Sequence, residues 1–168
     1  MSLKILIAED NESISKAYKI AFEKRGHKVS MTKNGQECLK RYSEDLPIEK
    51  TKNSFPFDVV IVDQEMPIKD GATLVGEILN LRPQQRIIFA SAHMDDVIKN
   101  KNKFRRSVEF FAKPFHLNNL IYAVETPIHK IGKMPFGAEG FRIWDESELP
   151  QTAGPGPNKG PGHSSEDY

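Results

Sequence analysis

A single cysteine, Cys38, rules out any disulfide within the chain, so its stability cannot come from a bridged framework. No stretch of about 18 apolar residues and no charged-then-apolar leader is present, which argues against a membrane span and against export. Charge of one sign is lacking too. Lysine plus arginine number 24 against 23 aspartate plus glutamate, so a formal net charge of +1 gives no whole-chain bias toward nucleic acid. There is no internal repeat. The expectation is a soluble protein of a reducing, cytoplasmic setting. At 168 residues it is long enough for one domain with its own core and too short for two ordinary ones.

Glycine and proline are sparse until the end, where they cluster. Seven of the 11 glycines and five of the 11 prolines follow Ile131. This predicts a domain over residues 1–131 and, over 132–168, a Gly/Pro-rich tail that cannot bury enough surface to fold alone and is expected to be flexible. The tail sets three cations, Lys133, Arg142 and Lys159, against six carboxylates, opposite in sign to the domain. One island within it, Phe141-Arg142-Ile143-Trp144, carries the only tryptophan. It either docks on the domain or a partner, or is a solvated linker remnant.

Up to Ile131, strand-like and helix-like segments alternate, which predicts an α/β fold of parallel strands joined by helical crossovers. Ile14, Ala17, Tyr18, Ala21 and Phe22 fall on one helical face, with Asn11 as N-cap and Gly26 as stop. Asn34 with Glu37 resembles a capping box for a short helix bearing Cys38, Leu39 and Tyr42. Glu44 to Pro56 is polar, holds two prolines and reads as a surface insertion. Asp70-Gly71 turns into a third helix with Leu74, Val75, Ile78 and Leu79. A fourth helical segment, Asp95 to Arg106, is basic, with Lys99, Lys101, Lys103, Arg105 and Arg106. The fifth carries Leu117, Leu120, Ile121 and Val124 before Pro127.

Four apolar runs end in polar groups. Leu3 to Ala8 runs into Glu9-Asp10, Phe57 to Val62 into Asp63, Arg86 to Ala90 into Ser91, and Val108 to Ala112 into Lys113-Pro114. The carboxyl ends of parallel strands share one edge of an open sheet, so these groups converge in a crevice. Three carboxylates, a hydroxyl and an ammonium fit Mg²⁺ binding and phosphoryl transfer to Asp63. Singly, each has a plainer explanation: a turn or cap for Asp63, a charged first helical turn for Glu9-Asp10, an N-cap for Ser91, a solvated amine for Lys113. Four independent caps have no reason to share one edge of one sheet.

Glu9-Asp10, Asp63 with Met66-Pro67 and Asp70-Gly71, Ser91, and Lys113-Pro114-Phe115, in this order, resemble a response-regulator receiver domain of two-component signalling, over roughly residues 2–126. The resemblance implies a doubly wound, flavodoxin-like five-stranded parallel sheet in order 2-1-3-4-5 with five helices. It implies that Asp63 is phosphorylated by a histidine kinase or phosphotransfer protein, with catalysis only of the protein's own phosphorylation and dephosphorylation. By the same resemblance Asp10, Asp63 and the main-chain carbonyl of Glu65 bind Mg²⁺, Glu9 acts through water, Lys113 and Ser91 contact the phosphoryl group, and the Lys113–Pro114 bond is cis. Ser91 and Phe110 form the switch, Glu65 and His93 the rim, and a protein target docks on the face of the fourth helix, fifth strand and fifth helix.

Phe110 stands where the family often has tyrosine, so it can rotate but offers no hydroxyl. Glu65 and His93 could orient water or simply pair at the surface. No effector pattern follows, so a protein contact is the expected output of a stand-alone receiver. Three rival readings are weighed. One is a degenerate receiver that binds without phosphate, against which every charged site residue is retained. Another is a haloacid-dehalogenase-type phosphatase, whose Asp-x-Asp signature on the first strand is missing. The third is a nucleic-acid binder using Lys99 to Arg106, which lacks an aromatic platform.

Overall fold

The computed structural model describes residues 1–48, 54–93, 95 and 108–126, together with the backbone of Arg142–Trp144. The elements are β1 (Lys4–Ala8), α1 (Glu12–Lys24), β2 (Lys28–Thr32), α2 (Gly35–Glu44), β3 (Val59–Asp63), α3 (Gly71–Leu81), β4 (Ile87–Ser91), β5 (Val108–Ala112), α4 (Leu117–Glu125) and β6 (Arg142–Trp144). Our α4 is the fifth helix that the sequence predicts. The basic segment Lys99 to Arg106 lies outside the described residues, as do residues 49–53 of the expected insertion, so four helices are described.

The sheet contains five parallel strands in the order 2-1-3-4-5, as expected, and β6 extends it beyond β5. That sixth strand is an addition to the five foreseen. It comes from the island around Trp144.

Side chains along each strand alternate between the two faces, and both faces are covered. On one, Leu6, Val60, Val62, Phe89 and Phe110 pack with Cys38 and Tyr42 of α2 and Leu74, Val75 and Ile78 of α3. On the other, Ile5, Ile7, Ile61, Ile88 and Phe111 pack with Tyr18 and Phe22 of α1 and Leu120, Ile121 and Val124 of α4. Among the described residues, two helices lie on each face, so the sheet is doubly wound. The strands are therefore continuous apolar runs, because neither face meets water.

Local signals set the helix ends. Asn11 accepts from the Ile14 amide at 3.0 Å, and Asp70 from that of Thr73 at 2.8 Å, each supplying an acceptor for an otherwise orphaned first-turn donor. Gly26 at φ +86° ends α1: its N–H donates to the Glu23 carbonyl and the His27 N–H to that of Phe22, a Schellman closure that requires the left-handed region. The expected capping box of α2 is altered by one residue. Asn34 accepts from Glu37 N–H, but the Glu37 carboxylate returns to the Lys33 amide rather than to that of Asn34. The apolar face of α1 is also narrower than its periodicity predicts. Tyr18 and Phe22 are buried, whereas Ile14 and Ala17 are exposed, since α1 meets the sheet only along its C-terminal half.

Candidate functional site

β1, β3, β4 and β5 run parallel and in register, so their C-terminal ends bring Glu9, Asp63, Ser91 and Lys113 to one edge. Asp63 is the last residue of β3 and only 5% exposed. Lys113 Nζ donates to Asp63 Oδ1 at 2.7 Å, and the Glu65 amide reaches the same oxygen at 3.4 Å. Oxygens of Glu9, Asp10 and Asp63 lie within 4.8 Å of one another. Glu9 is buried and its Oε1 accepts from the Asn11 amide at 3.0 Å, while Asp10 is exposed.

Crowding of like charge has an electrostatic signature. Burial, joined by the Asp63 and Asp10 charges, pushes the Glu9 carboxyl up to about 6. Burial likewise raises Asp63, against the pull of the Lys113 ammonium. Tyr18 of α1 is raised chiefly by burial and then by the Glu9 and Asp63 charges. It therefore stands within the field of the site, though its helical spacing marks it only as a core residue. An all-oxygen set of three carboxylates around one point is the donor chemistry of a hard cation such as Mg²⁺.

Ser91 is buried at the end of β4, but its hydroxyl is engaged with the backbone two residues on. It donates to the His93 carbonyl at 3.2 Å and accepts from the His93 amide at 3.0 Å. His93 Nε2 lies 3.6 Å from Glu65 Oε1, and both side chains are mostly exposed, so the two rim residues form a surface pair of small energetic weight. Phe110 is fully buried and meets Phe89 edge-on, with centroids 5.9 Å apart. The Lys113–Pro114 peptide is cis.

Two further residues fix Asp63, and only one had a signal. Gln64 donates from its backbone to Ala90, while its Oε1 accepts from the Ala72 amide at 2.9 Å, tying the end of β3 to the first turn of α3. Nothing in a lone glutamine announces this. Gly71 was singled out with Asp70 as a turn, and the structure supplies a second reason for it. A Cβ there would overlap the Asp63 carbonyl oxygen and crowd Gln64 Cα and Phe89.

The chain matches the family model described as "Response regulator receiver domain" over residues 5–125. It belongs to that family. The response regulator receiver protein CpdR of Brucella abortus is 27% identical over 122 residues, 73% of this chain and 93% of that protein. The sensor kinase CckA of the same organism is 29% identical over 129 residues, 77% of this chain but only 13% of the kinase. Among solved structures, the receiver domain of a Francisella response regulator superposes with a TM-score of 0.57 at 26% identity, covering 73% of this chain and 93% of that one. Receivers are signalling domains of two-component systems rather than enzymes of a conventional kind, and relatives of this one sit in histidine kinase and response regulator systems, which supports a partner of the kinase or phosphotransfer kind. Among the described residues, no helix is long and apolar enough to cross a membrane.

Proposed function

We propose that Asp63 is the phospho-acceptor of this receiver, taking a phosphoryl group from a phosphohistidine on a histidine kinase or phosphotransfer protein. The observation that carries this reading is the Lys113 ammonium at 2.7 Å from Asp63 Oδ1 beside two further carboxylates. In the transfer, a new P–O bond forms to an Asp63 carboxylate oxygen as the P–N bond of the donor breaks, and the electron pair returns to the imidazole. Charge spreads over the three equatorial oxygens, so positioned cations do most of the catalytic work.

Lys113 is one such cation, and its charge also opposes the rise that burial gives the Asp63 carboxyl. Asp10, Asp63 and the main-chain carbonyl of Glu65 would hold Mg²⁺, with Glu9 acting through water. When bound, the ion supplies Lewis-acid charge to the phosphoryl oxygens. Ser91 gives up its bond to His93 and donates to a phosphoryl oxygen. The aspartyl phosphate is removed by water entering past Glu65 and His93, so the protein catalyses only its own phosphorylation and dephosphorylation. Phe110 relays the change to a docking face formed by β5, α4 and the 95–106 segment. A cytoplasmic setting belongs to the same reading.

Incubation with Mg²⁺ and acetyl phosphate should add the mass of one phosphoryl group, and Asp63→Asn should abolish it. Asp10→Ala should abolish both labelling and Mg²⁺ binding with the fold intact, because a hard cation loses most of its affinity with one carboxylate. Unchanged labelling in Asp63→Asn would remove Asp63 from its role. No labelling of the parent chain would leave a receiver that binds without phosphate.

A further inference from the structure

In a five-stranded sheet β5 would be an edge, and an edge strand offers unpaired backbone N–H and C=O groups to any extended segment that reaches it. Here the chain supplies that segment itself. The backbone of Arg142–Trp144 runs parallel to β5, with Arg142 level with Glu109, Ile143 with Phe110 and Trp144 with Phe111. The connection from α4, residues 126–141, exceeds the dozen or so residues that a parallel crossover needs.

The residue types suit a strand, since Ile143 is β-branched and Trp144 aromatic. The strand is also the one part of the tail with strand chemistry, preceded by Gly- and Pro-containing sequence and followed by the acidic Asp145-Glu146, both of which disfavour extension of the ladder. With three residues the ladder is short, so a segment that pairs over a longer stretch of β5 can displace it. An occupant in place yet easily displaced suits a competitor for the edge.

The same strand leads into the site. One residue beyond Ala112, the last of β5, stands Lys113, which pairs with Asp63. Phe110, the switch residue of the proposed function, is level with Ile143. Two events on one five-residue strand share its position, and their coupling is reciprocal.

We propose that the outer edge of β5 is a strand-binding groove whose occupant is Arg142–Trp144 of the same chain, which withholds it from other extended segments. The inference rests on the proposed function only for its link to Asp63. In the full chain, Trp144→Pro removes a backbone donor from the strand, because the parallel register turns the Trp144 N–H toward the Phe110 carbonyl. The amides of Phe110 and Ala112, which face this edge because those of Phe111 and Lys113 turn toward β4, should then exchange hydrogen about tenfold faster, or more, than in the parent. A synthetic peptide of residues 141–146 should bind the variant saturably and the parent far more weakly. Ile143→Gly, gentler on the backbone, should move both readouts the same way by less.

Acetyl phosphate labelling with Mg²⁺ monitors the fold and the acceptor separately. If neither chain is labelled but β5 exchange responds to Trp144→Pro, the acceptor reading fails and the groove stands. Unchanged β5 exchange in both variants would overturn the proposal. So would parent protection that rises with protein concentration alongside a doubled mass in sedimentation, since the occupant would then be a second copy.

Discussion

Gly71, the first residue of α3, lies so close beneath the Asp63 carbonyl that no side chain can be accommodated between them. The carbonyl belongs to the strand end that presents the acceptor, and Gln64 pins the same corner to the Ala72 amide. Helix and acceptor are thus held as one rigid unit.

Gly71→Ala should force that unit apart. The overlap falls on backbone atoms, which cannot rotate away, so a loss of about 1–3 kcal/mol is expected, typical of overpacking. Denaturant melts would measure it. Because the shift acts on Asp63, acetyl phosphate labelling should slow more than the stability loss alone explains. Labelling at the parent rate in a folded Gly71→Ala chain would refute the rigid coupling.

Burial of Glu9, joined by repulsion from Asp63 and Asp10, makes the metal-free protein pH-sensitive. Glu9 rises from an ordinary carboxylate value of 4.5 to about 6 on folding, so between these values the folded chain holds a proton that the unfolded chain has released. This group's contribution to stability in chelator should therefore be fully present below pH 4.5 and be lost, on the order of 1–2 kcal/mol, as pH rises through 6. Asp63→Asn should stabilise the chelated protein at neutral pH by on the order of 1 kcal/mol, and the pH-dependent loss should shrink. A destabilised Asn variant would mean that the Lys113 ion pair outweighs the crowding.

Ile68 is the one non-glycine residue with positive φ among the described residues, at +71°, and its side chain is 82% exposed. The Lys69 amide donates to the Pro67 carbonyl at 2.8 Å across it, closing a three-residue turn whose positive-φ form is rare and strained. A β-branched side chain in this region costs about 1–2 kcal/mol, and glycine would relieve it at an entropic cost of about 0.5–1 kcal/mol. Ile68→Gly should therefore raise stability by about 0.5–1 kcal/mol in denaturant melts. An unchanged or lowered midpoint would show that the exposed isoleucine carries compensating contacts.

Much of this architecture is visible in the residues because each element is locally consistent. The buried strands read as apolar runs, Asn11 and Asp70 cap where capping residues stand, and four strand ends that carry chemistry meet because parallel strands must align their carboxyl ends. What could not be read depends on distant partners. Ile14 and Ala17 obey the helical period yet remain exposed, since only the sheet's extent decides where α1 leaves it. Glu37 reaches Lys33 rather than Asn34, a matter of one rotamer. β6 showed only as an island with two readings, docked or solvated, because three residues carry no period, and pairing with β5 makes them a strand.

Ser91 and Phe110 bear on whether phosphorylation is felt beyond Asp63. The Ser91 hydroxyl is engaged with the His93 backbone, and Phe110 is fully buried against Phe89 without a hydroxyl to hold it elsewhere. A phosphoryl group on Asp63 must draw Ser91 from His93, so it acts through its differential affinity for the two serine positions, and a tenfold preference supplies about 1.4 kcal/mol. Mg²⁺ with beryllofluoride, which stands in for the aspartyl phosphate, should shift the amide signals of Ser91, His93 and Phe110 together. In Ser91→Ala the shifts should stay close to Asp63, since the hydroxyl that links acceptor to β4 is gone. Equal shifts at Phe110 in both proteins would show that the signal travels through Lys113 and β5 instead, and would take Ser91 out of the switch.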